Sequence, residues 1–374
     1  MAERTLSSGL SARELRRYSR HLLIPDVGLA GQERLRAARV LVVGAGGLGS
    51  PALEYLAAAG IGRIGIVDDD VVDLTHLQRQ TIFATADIGE KKVTAAARRI
   101  ASINPETNVD SFPLRADAGN VRDLVRPYDV VLDCTDRFST RYLINDACVL
   151  EGKPDVYGSI FRFDGQISVF DARVGPCYRC LYPSAPPSGS VPTCSEGGVL
   201  GVLAGIVGTW QANEALKLVL GIGEPLTGRL LLFDALGAHV REIRFERDAA
   251  CALCGTAPSI RTVTEDADED VRDADEIGAS QLDEALVDAT LLDVREPHEA
   301  VLGVLDGAIH MPASELEARL HELDSARTYV VACRVGQKSL WAAARLRDAG
   351  FRRIRHLRGG LLEYAARDDA FAFF

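Results

Sequence analysis

The 374-residue sequence has no excess of basic charge, no internal repeat and no apolar run of membrane-spanning length. A formal net charge of -11 argues against a nucleic acid or an anionic membrane as partner of the chain as a whole, because both demand basic patches. Met1 to Leu10 lacks an apolar core of signal-peptide length, and the apolar stretch Gly197 to Val207 runs on into Gln211, Asn213, Glu214 and Lys217. The expectation is a cytoplasmic protein with a buried helix at that stretch. What is present is a globular balance, 47% hydrophobic and 25% charged, which excludes a wholly disordered or fibrous chain. The length exceeds what one core usually organises, so two domains are expected.

Arg39 to Val43 reads as a buried strand, Gly44 to Gly49 as a glycine-rich turn and Leu48 to Ala59 as a helix. A second strand follows at Ile64 to Asp68, helical periodicity returns at Glu90 to Ile103, and Asp129 to Leu132 is a short apolar segment. This alternation implies an α/β fold, a mostly parallel Rossmann-like sheet covered by helices. Ahead of it, Ser11 and Glu14 form a capping-box pattern that opens an appended helix over residues 11–23. Between Thr262 and Glu276 lie eight acidic residues and one arginine, a composition suited to a flexible linker. The expected division is a first domain over 1–258, an acidic linker over 259–278, and a small second α/β domain over 279–374.

Gly44-Ala45-Gly46-Gly47-Leu48-Gly49 follows a strand and opens a helix, so its amides can face a phosphate without side-chain obstruction. Asp68, at the end of the next strand, suits ribose hydroxyls. Taken alone, the turn fits a nicotinamide-dependent oxidoreductase as well as an ATP enzyme.

The eight cysteines divide into distinct settings. Cys177-Tyr178-Arg179-Cys180 and Cys251-Ala252-Leu253-Cys254 are two pairs at the spacing that lets both sulfurs grip one ion, together a four-thiolate structural zinc site. Disulfides or unrelated buried thiols are the alternatives. Cys194 precedes the apolar helix, whose N-terminus would favour a nucleophilic thiolate, although a small buried cysteine is the other reading. Cys134 and Cys148 lie in apolar sequence and read as core. Cys333-Arg334-Val335-Gly336-Gln337-Lys338-Ser339 joins an apolar strand, Tyr329 to Ala332, to the helical run Leu340 to Ala349. Such a loop points its amides, with Arg334 and Lys338, at the Cys333 sulfur, stabilising a thiolate and then a persulfide.

The run Asp68 to Gln80, then Lys92, then Asp133-Cys134-Thr135-Asp136, resembles the family of ubiquitin-activating-like adenylating enzymes, close to the molybdopterin-synthase and thiamine sulfur-carrier adenylyltransferases. The resemblance covers about Leu10 to Gly255. It implies a site for ATP and magnesium built from Gly44, Gly46, Gly47, Asp68, Asp70, Thr75, His76, Leu77, Gln78, Arg79, Lys92, Asp136 and Arg137. Arg79 and Lys92 would neutralise the triphosphate, Asp136 would hold magnesium, and Arg20 would arrive from the neighbouring subunit of a homodimer. In relatives the cysteine matching Cys194 takes the activated carboxyl as a thioester or acyl disulfide. The family usually has Asn at the positions of His76 and Arg137; His76 still offers a hydrogen bond, and Arg137 is expected to turn outward. The C-terminal part resembles a rhodanese domain, carried by Leu292 to Glu299, Asp306 to Pro312, the Cys333 loop, and Gly359-Gly360. It departs at Val304, where relatives commonly have His, and at Tyr364, where they usually have Trp.

Together the resemblances imply adenylation of the C-terminal Gly-Gly end of a ubiquitin-fold sulfur-carrier protein, followed by sulfur transfer from Cys333 to give a thiocarboxylate. A molybdopterin-type carrier is favoured, with a cysteine desulfurase or thiosulfate as sulfur donor. The rival readings are the nicotinamide oxidoreductase and, because of His76 and Arg137, a noncatalytic carrier-binding scaffold.

Overall fold

The computed structural model describes residues 9–185, 198–264, 275–301, 303–365 and 367. Met1–Ala185 with Gly198–Asp266 forms one compact unit, and Ala267–Phe374 lies in a second.

In the first unit, strands β1 (Arg39–Val43), β2 (Arg63–Val67), β3 (Asn108–Phe112), β4 (Val130–Asp133), β5 (Asp155–Phe161), β6 (Asp164–Phe170), β7 (Arg229–Asp234) and β8 (His239–Arg244) form one sheet. Their order is β3-β2-β1-β4-β5-β6-β7-β8. The pairs from β3 to β5 are parallel, and those from β5 to β8 antiparallel. The continuous apolar runs Val40–Val43 and Val130–Leu132 follow from the parallel half, since a parallel strand is covered on both faces. Leu41, Val43 and Val131 pack with Leu143 and Ile144 of the helix Phe138–Glu151, each burial stabilising by roughly 1.5–3 kcal/mol.

The helix Gly201–Leu220, which begins in the apolar stretch, packs on β5, β6 and the helix Gly49–Ala59. Its Gln211 is buried, and the side-chain amide donates to the carbonyls of Asp133 at 2.7 Å and Val156 at 3.0 Å. The N-terminal segment differs from expectation. The capping box of Ser11 and Glu14 is present, but the single helix over 11–23 is two short ones, Ala12–Arg17 and Ser19–Leu22, interrupted at Tyr18. Tertiary contacts hold that break: the Tyr18 hydroxyl accepts from Asn104 Nδ2 at 2.8 Å, and its ring fills the space beside Gly60.

In the second unit, β9 (Glu276–Ile277), β10 (Thr290–Asp293), β11 (Ile309–His310), β12 (Tyr329–Ala332) and β13 (Ile354–Leu357) form a parallel sheet in the order β11-β10-β12-β13-β9. The buried Ile277 draws the end of the acidic segment into this sheet. Among the described residues no helix is long and apolar enough to cross a membrane.

Candidate functional site

The glycine turn sits where the sheet's connections diverge. β1 is flanked by β2 on one side and β4 on the other, and a crevice opens at the carboxyl ends of strands at such a switch point. Only glycine fits the turn there: Gly44 has φ 94°, and a Cβ on it would stand 2.8 Å from the Cys134 carbonyl oxygen at the end of β4.

Asp68 holds the turn in shape. Its carboxylate accepts from the amides of Ala45 at 2.8 Å and Asp70 at 3.0 Å. Burial pushes its pKa above the ordinary value, against the pull of Lys92 and the two amides. The buried Lys92 ammonium lies 2.8 Å from Asp70 Oδ2. For Asp70 the balance falls the other way: burial raises its pKa, but Lys92 together with His76 and Arg137 brings it below the usual value. Arg137 is exposed at the start of the helix Phe138–Glu151, and its charge is the smallest of the pulls on Asp70.

His76 Nδ1 accepts from the Asp73 amide at 3.1 Å. Burial, and then the positive charges of Lys92 and Arg79, hold its pKa below the ordinary histidine value. Thr75 is fixed by Asp73, whose carboxylate accepts from its amide and its hydroxyl. Arg79 donates to the Thr75 carbonyl at 3.0 Å, and its stem lies against Gly47. Leu77 closes the short helical turn that carries these residues, and the Gln78 carbonyl meets Gly201 at the start of the long helix. Asp133, at the end of β4, accepts from the Thr135 amide and hydroxyl, shaping the turn that presents the exposed Asp136.

Gly44, Gly46, Gly47, Asp68, Asp70, His76, Arg79, Lys92 and Arg137 therefore gather at one crevice. Two predicted residues are not assembled there within one chain. Arg20 is exposed on the helix Ser19–Leu22, which packs on the helices Ala12–Arg17 and Gly28–Ala37, and Cys194 lies outside the described residues. One residue was missed. Gln80 is buried beneath Gly46, and among the described residues its Oε1 has no hydrogen-bond partner. The signal was its place directly after Arg79 in the same run.

The four paired cysteines converge. Their sulfurs lie within 4.8 Å of one another, with Cys177 to Cys180 at 3.9 Å, Cys177 to Cys251 at 3.7 Å and Cys180 to Cys254 at 3.3 Å. A tetrahedral thiolate site with bonds of about 2.3 Å puts its sulfurs ~3.8 Å apart, so the donor set fits a metal ion. Cys134 and Cys148 are buried, and burial pushes both thiols up, as core cysteines require.

In the second unit, Cys333 follows β12, and its sulfur accepts from the amides of Gly336 at 3.2 Å and Ser339 at 3.3 Å. Gly336 has φ 91°, and Leu361 and Leu362 donate to the carbonyls of Cys333 and Arg334, which pins the loop from behind. The amide cradle is as expected, and Lys338, on the first turn of the helix that follows, has an acidic partner of its own. Its ammonium lies 2.7 Å from the buried Glu299.

Comparison with known proteins agrees with both halves. The ThiF family model matches residues 18–253, and the rhodanese-like domain model matches residues 274–367. The probable adenylyltransferase/sulfurtransferase MoeZ of Mycobacterium tuberculosis is 46% identical over 372 residues, covering 96% of this chain and 95% of that protein. The sulfur carrier protein adenylyltransferase of Thermus thermophilus is 50% identical over 257 residues, covering 67% of this chain and 95% of that protein. The adenylyltransferase and sulfurtransferase MOCS3 of Arabidopsis thaliana is 40% identical over 397 residues, covering 96% and 85%. Among solved structures, the crystal structure of E. coli MccB with ATP superposes with a TM-score of 0.57 at 21% identity, over 64% of this chain and 74% of that one, a likeness of fold.

Proposed function

The chain belongs to the ThiF family and carries a rhodanese-like domain, an enzyme with adenylyltransferase and sulfurtransferase activities, and from that premise we propose that it adenylates a ubiquitin-fold sulfur-carrier protein and then supplies it with sulfur. The observation that carries the reading is the ring of Arg79, Lys92, His76 and Arg137 around a glycine turn at the switch point. A carboxylate oxygen of the carrier's C-terminal Gly-Gly end attacks the α-phosphorus of ATP. The bond to the β-phosphate breaks, pyrophosphate leaves with the electron pair, and an acyl-adenylate remains. Such chemistry needs positioning and cations, because the developing charge spreads over phosphate oxygens. Asp68 would meet the ribose and Asp136 would hold magnesium, which supplies charge neutralisation when bound.

Sulfur arrives separately. The Cys333 thiolate attacks the sulfane sulfur of a cysteine desulfurase persulfide or thiosulfate, forming a new S–S bond as the donor leaves with its electron pair. The terminal persulfide sulfur then attacks the adenylate carbonyl and AMP departs, leaving an acyl disulfide. A second thiol must cleave that bond to release the thiocarboxylate, being itself oxidised to a disulfide with Cys333, which cellular thiols then reduce; Cys194 is the candidate. The four-cysteine cluster would hold zinc as a structural ion, with all four positions taken by protein thiolates.

In this reading Arg20, which is exposed, would reach the partner's site in a homodimer, as the resemblance to the family implies. A cytoplasmic location and the absence of nucleic-acid or membrane partners remain part of this reading, from the acidic charge and the metal-binding use of cysteine. The names of the MoeZ and MOCS3 relatives favour a molybdopterin-type carrier. The test is incubation of purified carriers with the protein, ATP, magnesium and thiosulfate, followed by pyrophosphate release and intact mass. The true carrier gains about 16 Da as oxygen is replaced by sulfur. Pyrophosphate release that survives Asp136→Ala, or tight NAD binding with no such release, would overturn the reading.

A further inference from the structure

Behind the Cys333 sulfur lies a row of side chains whose order is chemically informative. Ser339 is fully buried in the first turn of the helix Gln337–Asp348, and its hydroxyl oxygen lies 3.6 Å from Cys333 Sγ, 2.9 Å from the Gly336 carbonyl oxygen and 3.3 Å from His356 Nδ1. His356 is buried on β13, and its other ring nitrogen, Nε2, lies 3.7 Å from Glu276 Oε2 on β9. A serine hydroxyl has one proton to give and can accept as well. If Nδ1 is bare, it competes for the Ser339 proton and draws it away from the sulfur. If Nδ1 carries a proton, it donates to Ser339, whose own proton must then go to the Gly336 carbonyl or to Cys333. An anionic sulfur is the stronger acceptor of the two. Glu276 faces the far nitrogen and favours the form protonated at both positions.

We propose that His356, protonated against Glu276, turns the Ser339 hydroxyl onto the sulfur of Cys333 and is thereby a positioning residue for sulfur transfer. The inference rests on Cys333 being the sulfur-carrying residue. The hydroxyl becomes a further donor beside the Gly336 and Ser339 amides, and it stabilises the thiolate before transfer and the persulfide after it. Among the described residues, the charged and titratable groups on the elements around His356 are Glu276 on β9 with Asp275 before it, Arg355 on β13 with Arg358 after it, Lys338, Arg345, Arg347 and Asp348 on the helix, Tyr329 on β12, and Cys333 and Arg334 after it. Arg358 lies 3.2 Å from Glu276 Oε1 and Arg347 lies 3.6 Å from Asp275, so each carboxylate is shared.

The test uses the full-length protein, with thiosulfate as donor, cyanide as acceptor and kcat/KM measured across pH. His356→Ala and Ser339→Ala should each lower kcat/KM by about tenfold, the worth of one charge-assisted hydrogen bond. The double variant should lose little more than either alone. In the unmodified protein activity should fall on the alkaline side as His356 loses its proton, and both single variants should lack that limb. Glu276→Gln, at a partly exposed position, keeps the fold and should move the limb to lower pH. Additive losses, or a limb unmoved by Glu276→Gln, overturn the role of His356. Transfer that persists in Cys333→Ala would instead remove the premise about the sulfur carrier.

Discussion

Two glycines three residues apart in the helix Gly201–Leu220 should respond to the same substitution with opposite sign. Alanine is preferred over glycine inside a helix by about 0.8–1 kcal/mol. A Cβ on Gly205 would meet nothing within 4 Å, so Gly205→Ala should gain up to about 1 kcal/mol. A Cβ on Gly208 would stand 2.2 Å from the Leu48 carbonyl oxygen and 2.7 Å from Pro51 Cγ. Both neighbours belong to the start of the helix Gly49–Ala59, where backbone cannot swing aside, so the two helices must part by roughly 1 Å. Overpacking of this kind costs about 1–3 kcal/mol, and a backbone clash belongs at the upper end, leaving a net loss of about 2 kcal/mol after the helix preference. At roughly 2–4 °C per kcal/mol for a unit of this size, Gly208→Ala should melt about 4–8 °C lower and Gly205→Ala about 2–4 °C higher. Function should separate as well. The same helix sets Gly201 against Gln78 and Ala204 against Gly47, so Gly208→Ala should raise the KM for ATP, while Gly205→Ala leaves it unchanged. Thermal melts with and without ATP, and pyrophosphate exchange, read both effects. A Gly208→Ala protein as stable as the unmodified one would show that the helices are not locked at this crossing.

Other consequences follow from the remaining sites. Cys177→Ser should cost the protein about one equivalent of bound metal, read by elemental analysis, and lower the melting point of the first unit; full metal content would refute the four-thiolate reading. Cys333→Ala should abolish thiocarboxylate formation while leaving carrier-dependent pyrophosphate release intact, whereas Asp136→Ala should abolish pyrophosphate release, and thiocarboxylate with it, while leaving thiosulfate-to-cyanide sulfur transfer intact. His76 carries a depressed pKa in the folded state, so protonating it opposes folding, and its contribution to stability is lost as pH falls below the unfolded value of about 6.5 toward the folded one. Melting temperatures of His76→Asn between pH 8 and 5 should decline less on the acid side than those of the unmodified protein; parallel curves would show that His76 does not titrate in that window.

Within the parallel half of the first sheet β1, β2 and β4 were legible, because they are buried on both faces and read as apolar runs closed by glycine or aspartate, whereas the partly exposed edge strand β3 and the strand β5 were not. The antiparallel half was not. β8 runs His239-Val240-Arg241-Glu242-Ile243-Arg244 along the sheet edge and is largely exposed, so no hydrophobic period marks it. The cysteine pairs and the Cys333 loop were readable from local spacing alone. What the chain order hid was partners far along it: Glu299, which pairs with Lys338, and Asn104 and Gly60, which fix the break at Tyr18. His356 and Glu276 belong to the same class, since neither lies near Cys333 in sequence.

The two reactive centres solve one electrostatic problem with one backbone device. Each lies where a buried parallel strand ends, passes through a glycine at positive φ, Gly44 or Gly336, and enters a helix whose first amides point back at the strand end. At Cys333 the anion is covalently attached, so the amides can close on it directly, and the sulfur sits almost wholly out of water with Gly336 and Ser339 already bonded to it. At Gly44 the anion must come and go, and the turn cannot close on an empty centre. Asp68 takes the Ala45 amide, and in the proposed reading the phosphate charge would be left to the side chains of Arg79 and Lys92. Lys92 is in turn occupied by Asp70, which a nucleotide must displace or share. A centre that binds and releases its anion thus depends on exchangeable ion pairs, and its affinity should weaken with salt. The persulfide cradle, made of amides and a buried hydroxyl, should not.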